Sequence, residues 1–186
     1  VGGRNTFASE DFMVQLTPEQ SAQLSSAVRR ARRAEVCEAV ENVYRALADA
    51  IELRRPICQT SGRCCRFESF GHSLFVTTME LAAFTSKLPG HLPPAGIKDW
   101  DGSGCPFQVG GLCGVHAIRP FGCRIFFCDE TSTDWQREQY ERLHAELKRL
   151  HAVHEVDYFY VEWRQALSAL NYGSDRGAPL AAPLKP

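Results

Sequence analysis

Leu24, Val28 and Ala31, then Val40, Tyr44, Leu47 and Ile51, recur at the three- and four-residue steps that place apolar side chains on one face of a helix. The pattern predicts one long helix over residues 17–55. Thr17 is placed to cap it, Pro18 suits its first turn, Gln20 stands at the capping-box position, and Pro56 stops it. Cys37 falls on the same stripe, far from the other thiols, and reads as a small core residue. Arg29, Arg30, Arg32 and Arg33 form a basic collar around the middle, which reads as a solvated face rather than a phosphate site. In the arm over 1–16, Phe12, Val14 and Leu16 alternate as a short strand would.

Beyond Pro56 the helical period disappears. Residues 58–70 are rich in Gly, Ser and Cys and read as irregular backbone, 73–77 as a short strand, and Thr77-x-x-Glu80 as the capping box of a helix reaching about Leu88. A long loop is expected over 89–104. Two short runs around Gly110-Gly111 then predict a hairpin, because glycine supplies the positive φ that tight hairpin turns need. Helical patterning resumes with Thr133 as cap and Trp135, Leu143, Leu147 and Leu150 on one stripe, and a last helical segment runs from Tyr158 to Asn171 with Phe159, Trp163, Leu167 and Leu170 inward. The Pro- and Ala-rich residues 174–186 read as a mobile tail. The fold class expected is mainly α with a small β-hairpin. Helices over 17–55 and 130–173 flank an irregular, Cys-rich metal-binding core over 56–129, all in one domain with no internal repeat.

Composition narrows the function. A chain of 186 residues buries an apolar core without covalent staples, and no run of about 18 apolar residues is present to cross a bilayer. With 21 basic and 22 acidic side chains the net charge of −1 gives no support for a nucleic-acid partner. The start, Val1-Gly2-Gly3-Arg4, has no initiating Met and no charged-then-apolar signal pattern, as expected of a trimmed chain or a fragment. Eight cysteines in a chain of this size read as a cytoplasmic metal protein more readily than as an exported disulfide scaffold. The long amphipathic helix leaves a homo-oligomer open.

Apart from Cys37 the thiols are Cys58, Cys64, Cys65, Cys105, Cys113, Cys123 and Cys128, written C-x5-CC, C-x7-C and C-x4-C. Seven thiols within 71 residues, three of them beside Gly or Pro, point to a bound metal centre, since soft thiolate ligands have to be gathered from separate loops. Zinc domains usually present C-x2-4-C pairs, and only Cys123 and Cys128 have that spacing, at its upper limit. A cubane cluster, with several irons to ligate, accepts scattered loops and the adjacent Cys64-Cys65 pair more readily. Phe67, Phe70, Phe107, Phe121, Phe126 and Phe127 would keep water from such a centre, and CRIFFC, residues 123–128, reads as two ligands in an apolar clamp.

Arg119 and Arg124 stand beside these thiols, where a cation lowers a thiolate pKa, offsets an anionic cluster, grips a carboxylate or simply holds a loop. His116 is a further candidate ligand or a donor to cluster sulfur. His144, His151 and His154 read as a solvated helix face, and Asp99, Asp101, Asp129 and Glu130 as loop carboxylates open to acid–base work. No C-x3-C-x2-C, G-x-x-x-x-G-K or H-E-x-x-H motif is present.

The ordered motifs C-x5-CC, Cys105-Pro106-Phe107, Leu112-Cys113-Gly114-Val115-His116, Arg119-Pro120-x-x-Cys123-Arg124 and Cys128 resemble the bacterial YkgJ-like cysteine-cluster family of zinc- or iron-chelating proteins over residues 56–129. A related cysteine pattern occurs in flagellin lysine methylases. The resemblance implies metal chelation by these cysteines, with an iron–sulfur cluster, 4Fe–4S, as the favoured cofactor and zinc as the alternative. It also implies redox or group-transfer chemistry on a protein or peptide as one use of the centre, and a structural or metal-handling module as the other. His116 stands where that family commonly carries Tyr.

Overall fold

In the computed structural model, which describes residues 15–88 and 103–170, the chain runs α1 (Pro18–Ala31), α2 (Ala34–Arg54), α3 (Phe67–Phe70), β1 (Phe75–Thr77), α4 (Thr78–Lys87), β2 (Gln108–Val109), β3 (Leu112–Cys113), α5 (Phe121–Ile125), α6 (Thr133–Val153), β4 (Tyr160–Glu162) and α7 (Trp163–Ala169). It is mainly helical, with two small two-stranded antiparallel sheets among the described residues. The strand read around Phe12 and Val14, the carboxylates Asp99 and Asp101, and the C-terminal tail lie outside the described residues.

The first helix opens as its capping box requires: Gln20 N–H donates to Thr17 Oγ1 at 3.1 Å and Thr17 N–H to Gln20 Oε1 at 2.8 Å. The single long helix expected over 17–55 is instead two, because Arg32 and Arg33 leave helical geometry. Neither Pro nor Gly forces the break. The arginine collar finds partners outside the helix: Arg30 pairs with Asp157 at 2.5 Å, Arg33 donates to the His154 carbonyl at 2.6 Å and Arg32 to Ser86 Oγ at 3.3 Å. Freed from one axis, α1 packs on α4 and α7 while α2 packs on α4 and α6.

Helix α4 lies at the centre of these contacts and is buried on every side over residues 78–85. A helix end in such a place leaves no water for its first N–H groups, so each needs a partner. Thr78 N–H donates to the Phe159 carbonyl at 3.3 Å, Met79 N–H to His151 Nε2 at 3.2 Å and Glu80 N–H to Thr77 Oγ1 at 3.4 Å.

His151 is therefore no part of a solvated face: it is 2% exposed, its Nδ1 lies 2.8 Å from the Leu147 carbonyl, and its Nε2 must stay unprotonated to accept from Met79. Burial holds its pKa below the ordinary imidazole value. A depressed histidine binds fewer protons folded than unfolded, so its stabilisation is complete above the unfolded pKa of about 6.5 and is lost as pH falls below it. The Tm is expected to be lower at pH 5.5 than at pH 7.5, and by a smaller margin in His151→Gln, as thermal unfolding at the two pH values would show.

Strand β1 pairs antiparallel with β4, Val76 opposite Val161. Sequence periodicity had merged β4 into the last helix. Three residues, Tyr-Val-Glu, are too few to declare a period, and only pairing with β1 fixes them as strand. Glu162 then caps α7, accepting from the N–H groups of Arg164 and Gln165. The first residue of α7, Trp163, meets Phe84 of α4 at a ring separation of 5.0 Å and Phe107 at 5.8 Å. This aromatic group joins the helical core to the cysteine-bearing loops.

Candidate metal centre

Two glycines let the thiol loops touch. Gly62 and Gly104 have φ of 66° and 60°, a region L side chains rarely adopt. A Cβ on Gly62 would lie 2.1 Å from the Gly111 carbonyl oxygen at the hairpin turn, and one on Gly104 2.7 Å from the Cys65 carbonyl oxygen. Cys105 N–H donates to that same Cys65 carbonyl at 2.7 Å. The Gln108 amide spans the two loops, donating to Gly62 O at 3.2 Å and Gly111 O at 3.1 Å.

The Cys65 thiol is buried on the turn Arg63–Cys65, with the thiols of Cys64, Cys105 and Cys113 as its electrostatic neighbours. Their interaction raises the pKa of Cys65 and lowers those of the other three, that of Cys64 to about 6 and that of Cys113 to about 7. Arg119 adds to the lowering at Cys64 and Cys113. Its Nε is buried with no hydrogen-bond partner among the described residues. The buried Trp163 indole nitrogen likewise has no hydrogen-bond partner among the described residues. Cys123, on α5, joins the same neighbourhood; burial first, and then the charges of Cys105, Cys64 and Cys113, push its thiol up.

Five of the seven candidate thiols are thus together, and two are not. Cys58 is exposed, and Cys128 meets Ser61 Oγ at 3.6 Å rather than another sulfur. Their segments are nevertheless laced to each other, because Ile57 N–H donates to Asp129 Oδ2 at 3.1 Å. Asp129 also accepts from Thr131 and Ser132, a turn-holding set that keeps its carboxyl well below the usual range. Cys37 stands alone with Ser86 Oγ at 3.7 Å. Among the described residues no group of three or more His, Cys, Asp or Glu is arranged to hold a metal ion.

The donor set fits a thiophilic centre on its chemistry: soft sulfurs with a half-buried Arg119, its Nε fully buried, whose charge favours thiolate at Cys64 and Cys113. Arg124 has a different task from Arg119. It donates to the carbonyls of Arg119 at 2.8 Å and Ala117 at 3.0 Å and lies over the Tyr44 ring at 4.2 Å, so it fixes the turn that carries Arg119. His116 is exposed and outside the thiol group.

Glu80 escaped the sequence reading except as a helix cap. Its Oε1 accepts from Phe121 N–H, the first residue of α5, at 2.9 Å and from the Tyr44 hydroxyl at 3.4 Å, while Oε2 accepts from Thr77 N–H at 2.9 Å. It therefore ties the helix bearing Cys123 to the central helix. The capping-box spacing was the only signal of it. A cavity of about 320 Å³ opens beside the thiols, with Cys64 and Cys123 in its wall. Within CRIFFC, Ile125 is buried but Phe126 is 37% exposed at the cavity rim, so the expected clamp is open on that side.

No family model, no curated protein and no solved structure matches this chain. Among the described residues no helix is long and apolar enough to cross a membrane.

Proposed function

We propose that this chain is a metal-cluster-binding protein that holds a 4Fe–4S centre through Cys64, Cys65, Cys105 and Cys113, with Cys123 beside them and Cys58 and Cys128 on adjoining loops. The observation that supports this reading is the approach of the thiol-bearing loops: Cys105 N–H meets the Cys65 carbonyl at 2.7 Å, and Gln108 ties the hairpin bearing Cys113 to Gly62. A bound cluster supplies one-electron chemistry. The chain's own part is to offset its negative charge with Arg119 and to exclude water with Phe84, Phe107 and Trp163. A cytoplasmic protein acting on, or with, a protein or peptide partner is the setting this reading favours.

Zinc is the second reading, because four thiolates also make up a structural zinc site. The fifth thiol and the adjacent cavity favour the cluster, since a closed structural site uses neither.

Thiol reactivity tests metal ligation directly. Of the eight cysteines, all free of disulfides, those bound to metal are expected to be shielded from a thiol reagent in anaerobically purified protein. Stripping the metal should raise the fast-reacting count by about four. An unchanged count would remove the ligand assignment.

A further inference from the structure

Two short stretches run beside each other at the edge of the thiol group. As the chain leaves α2, the Arg54 guanidinium donates to the Thr131 carbonyl at 2.8 Å, Ile57 N–H donates to Asp129 Oδ2 at 3.1 Å, and Ser61 Oγ meets the Cys128 sulfur at 3.6 Å. The ties run in opposite directions along the two stretches, 54 to 131, 57 to 129 and 61 to 128, so Cys58 lies between the tie to Asp129 and the tie to Cys128 itself. Thr60 has a φ of 50°, a conformation that is costly for a β-branched residue and persists only where its surroundings impose it. Cys58 is exposed, Cys128 is half-buried, and both are free thiols outside the set formed by Cys64, Cys65, Cys105 and Cys113.

We propose that Cys58 and Cys128 form a site of thiol–disulfide exchange with a small-molecule disulfide, Cys58 as the entry thiol and Cys128 as the resolving thiol. The Cys58 thiolate attacks one sulfur of the small disulfide, forming a mixed disulfide and expelling the first small thiolate. The Cys128 thiolate then attacks the Cys58 sulfur, closes the Cys58–Cys128 bond and expels the second. Two protein thiols are oxidised, the small disulfide is reduced to two thiols, and the protons given up by the two cysteines end on those thiols. Exposure assigns the first step to Cys58, because the small disulfide has to reach the attacking sulfur. Half-burial beside Ser61 assigns the second step to Cys128. A disulfide joins Cα atoms about 4.4–6.8 Å apart. The ties on both sides of Cys58 hold its loop beside Cys128, so closing that span falls to the exposed residues around Cys58 and leaves the helices in place. In a reducing compartment such a bond is transient, which suits exchange or sensing rather than stapling. The pairing rests on these ties and does not require the cluster reading.

Oxidised glutathione is the probe, added to the anaerobically purified full-length chain, with the remaining thiols alkylated afterwards. Trypsin releases Cys58 within residues 55–63 and Cys128 within residues 125–137, each with no other cysteine, so the linked pair of peptides is diagnostic. This pair is expected to exceed every other disulfide-linked pair at least about tenfold, with no glutathione retained. Cys128→Ser should stop at the mixed disulfide and keep glutathione on Cys58. Cys58→Ser should form no link and take up glutathione at least about tenfold more slowly. Linkage of Cys58 or Cys128 mainly to a different cysteine, glutathione retained on Cys58 of the parent chain, or no reaction at either residue overturns the proposal. Iron, sulfide and zinc measured on the same sample before oxidation separate the two readings. The linked pair formed in protein without iron, sulfide or zinc supports the exchange site and removes the metal reading, whereas iron and sulfide in protein that forms no such link does the reverse.

Discussion

Cys65→Ser is expected to be purified with its metal content lowered at least about tenfold, while Cys37→Ser keeps the full complement. Cys65 is buried where the two loops meet, its carbonyl accepting from Cys105 N–H at 2.7 Å, so its loss removes a donor from the hub of the set. Serine retains the shape, but its hydroxyl does not ionise near neutral pH and is a hard donor where a soft one is needed. Cys113→Ser should also lose most of the metal, and Cys123→Ser less, since its thiol stands beside the four ligands. Cys58→Ser and Cys128→Ser should lose least, because Cys58 is exposed and Cys128 meets Ser61 Oγ rather than another sulfur. Elemental analysis of iron, sulfide and zinc per chain decides the point. Full metal in Cys65→Ser would sink the hub assignment.

Glu80→Ala should destabilise the chain by about 3 kcal/mol or more, lowering the Tm by about 6–12 °C for a protein of this size. The carboxylate is 3% exposed, and its removal strands the N–H groups of Thr77 and Phe121 and the Tyr44 hydroxyl in the interior. Glu80→Gln preserves the volume and one carbonyl acceptor, so it should cost about half as much. Metal content should fall with stability in Glu80→Ala, since the bond to Phe121 holds the start of the helix carrying Cys123. Burial raises the pKa of Glu80 above its ordinary value. The folded state therefore binds this proton more tightly than the unfolded one, and the associated stabilisation is complete below the unfolded pKa of about 4.3 and lost as pH rises through the folded value. Urea denaturation of the three proteins measures the cost. A difference under about 1 kcal/mol for Glu80→Ala would contradict the role given to this carboxylate.

What could be read in advance was what neighbours in sequence decide. Thr17 with Gln20, Thr77 with Glu80, and the glycines of the 110–111 turn act within a few residues of themselves, and each stands where the sequence puts it. The Arg32–Arg33 break was hidden because no Pro or Gly marks it, and the partners of the arginine collar, Ser86, His154 and Asp157, lie more than fifty residues away. His151 misled for the same kind of reason: its neighbours along α6 are charged, but the group that needs it is the Met79 N–H at the end of another helix. At the site, cysteine density announced a thiol group without saying which members meet. Close approach at Gly62 and Gly104 selects Cys64, Cys65, Cys105 and Cys113, whereas the lacing through Asp129 keeps Cys58 and Cys128 on a separate edge. Arg119 and Arg124 were equivalent on paper, and only the carbonyls around Arg124 distinguish them.

Anaerobic purification followed by a visible spectrum and by iron, sulfide and zinc analysis on one sample bears most directly on the proposed centre. A 4Fe–4S protein is brown, absorbs broadly near about 400 nm, and contains iron and sulfide in matching amounts. Colourless protein with stoichiometric zinc and no sulfide would contradict it.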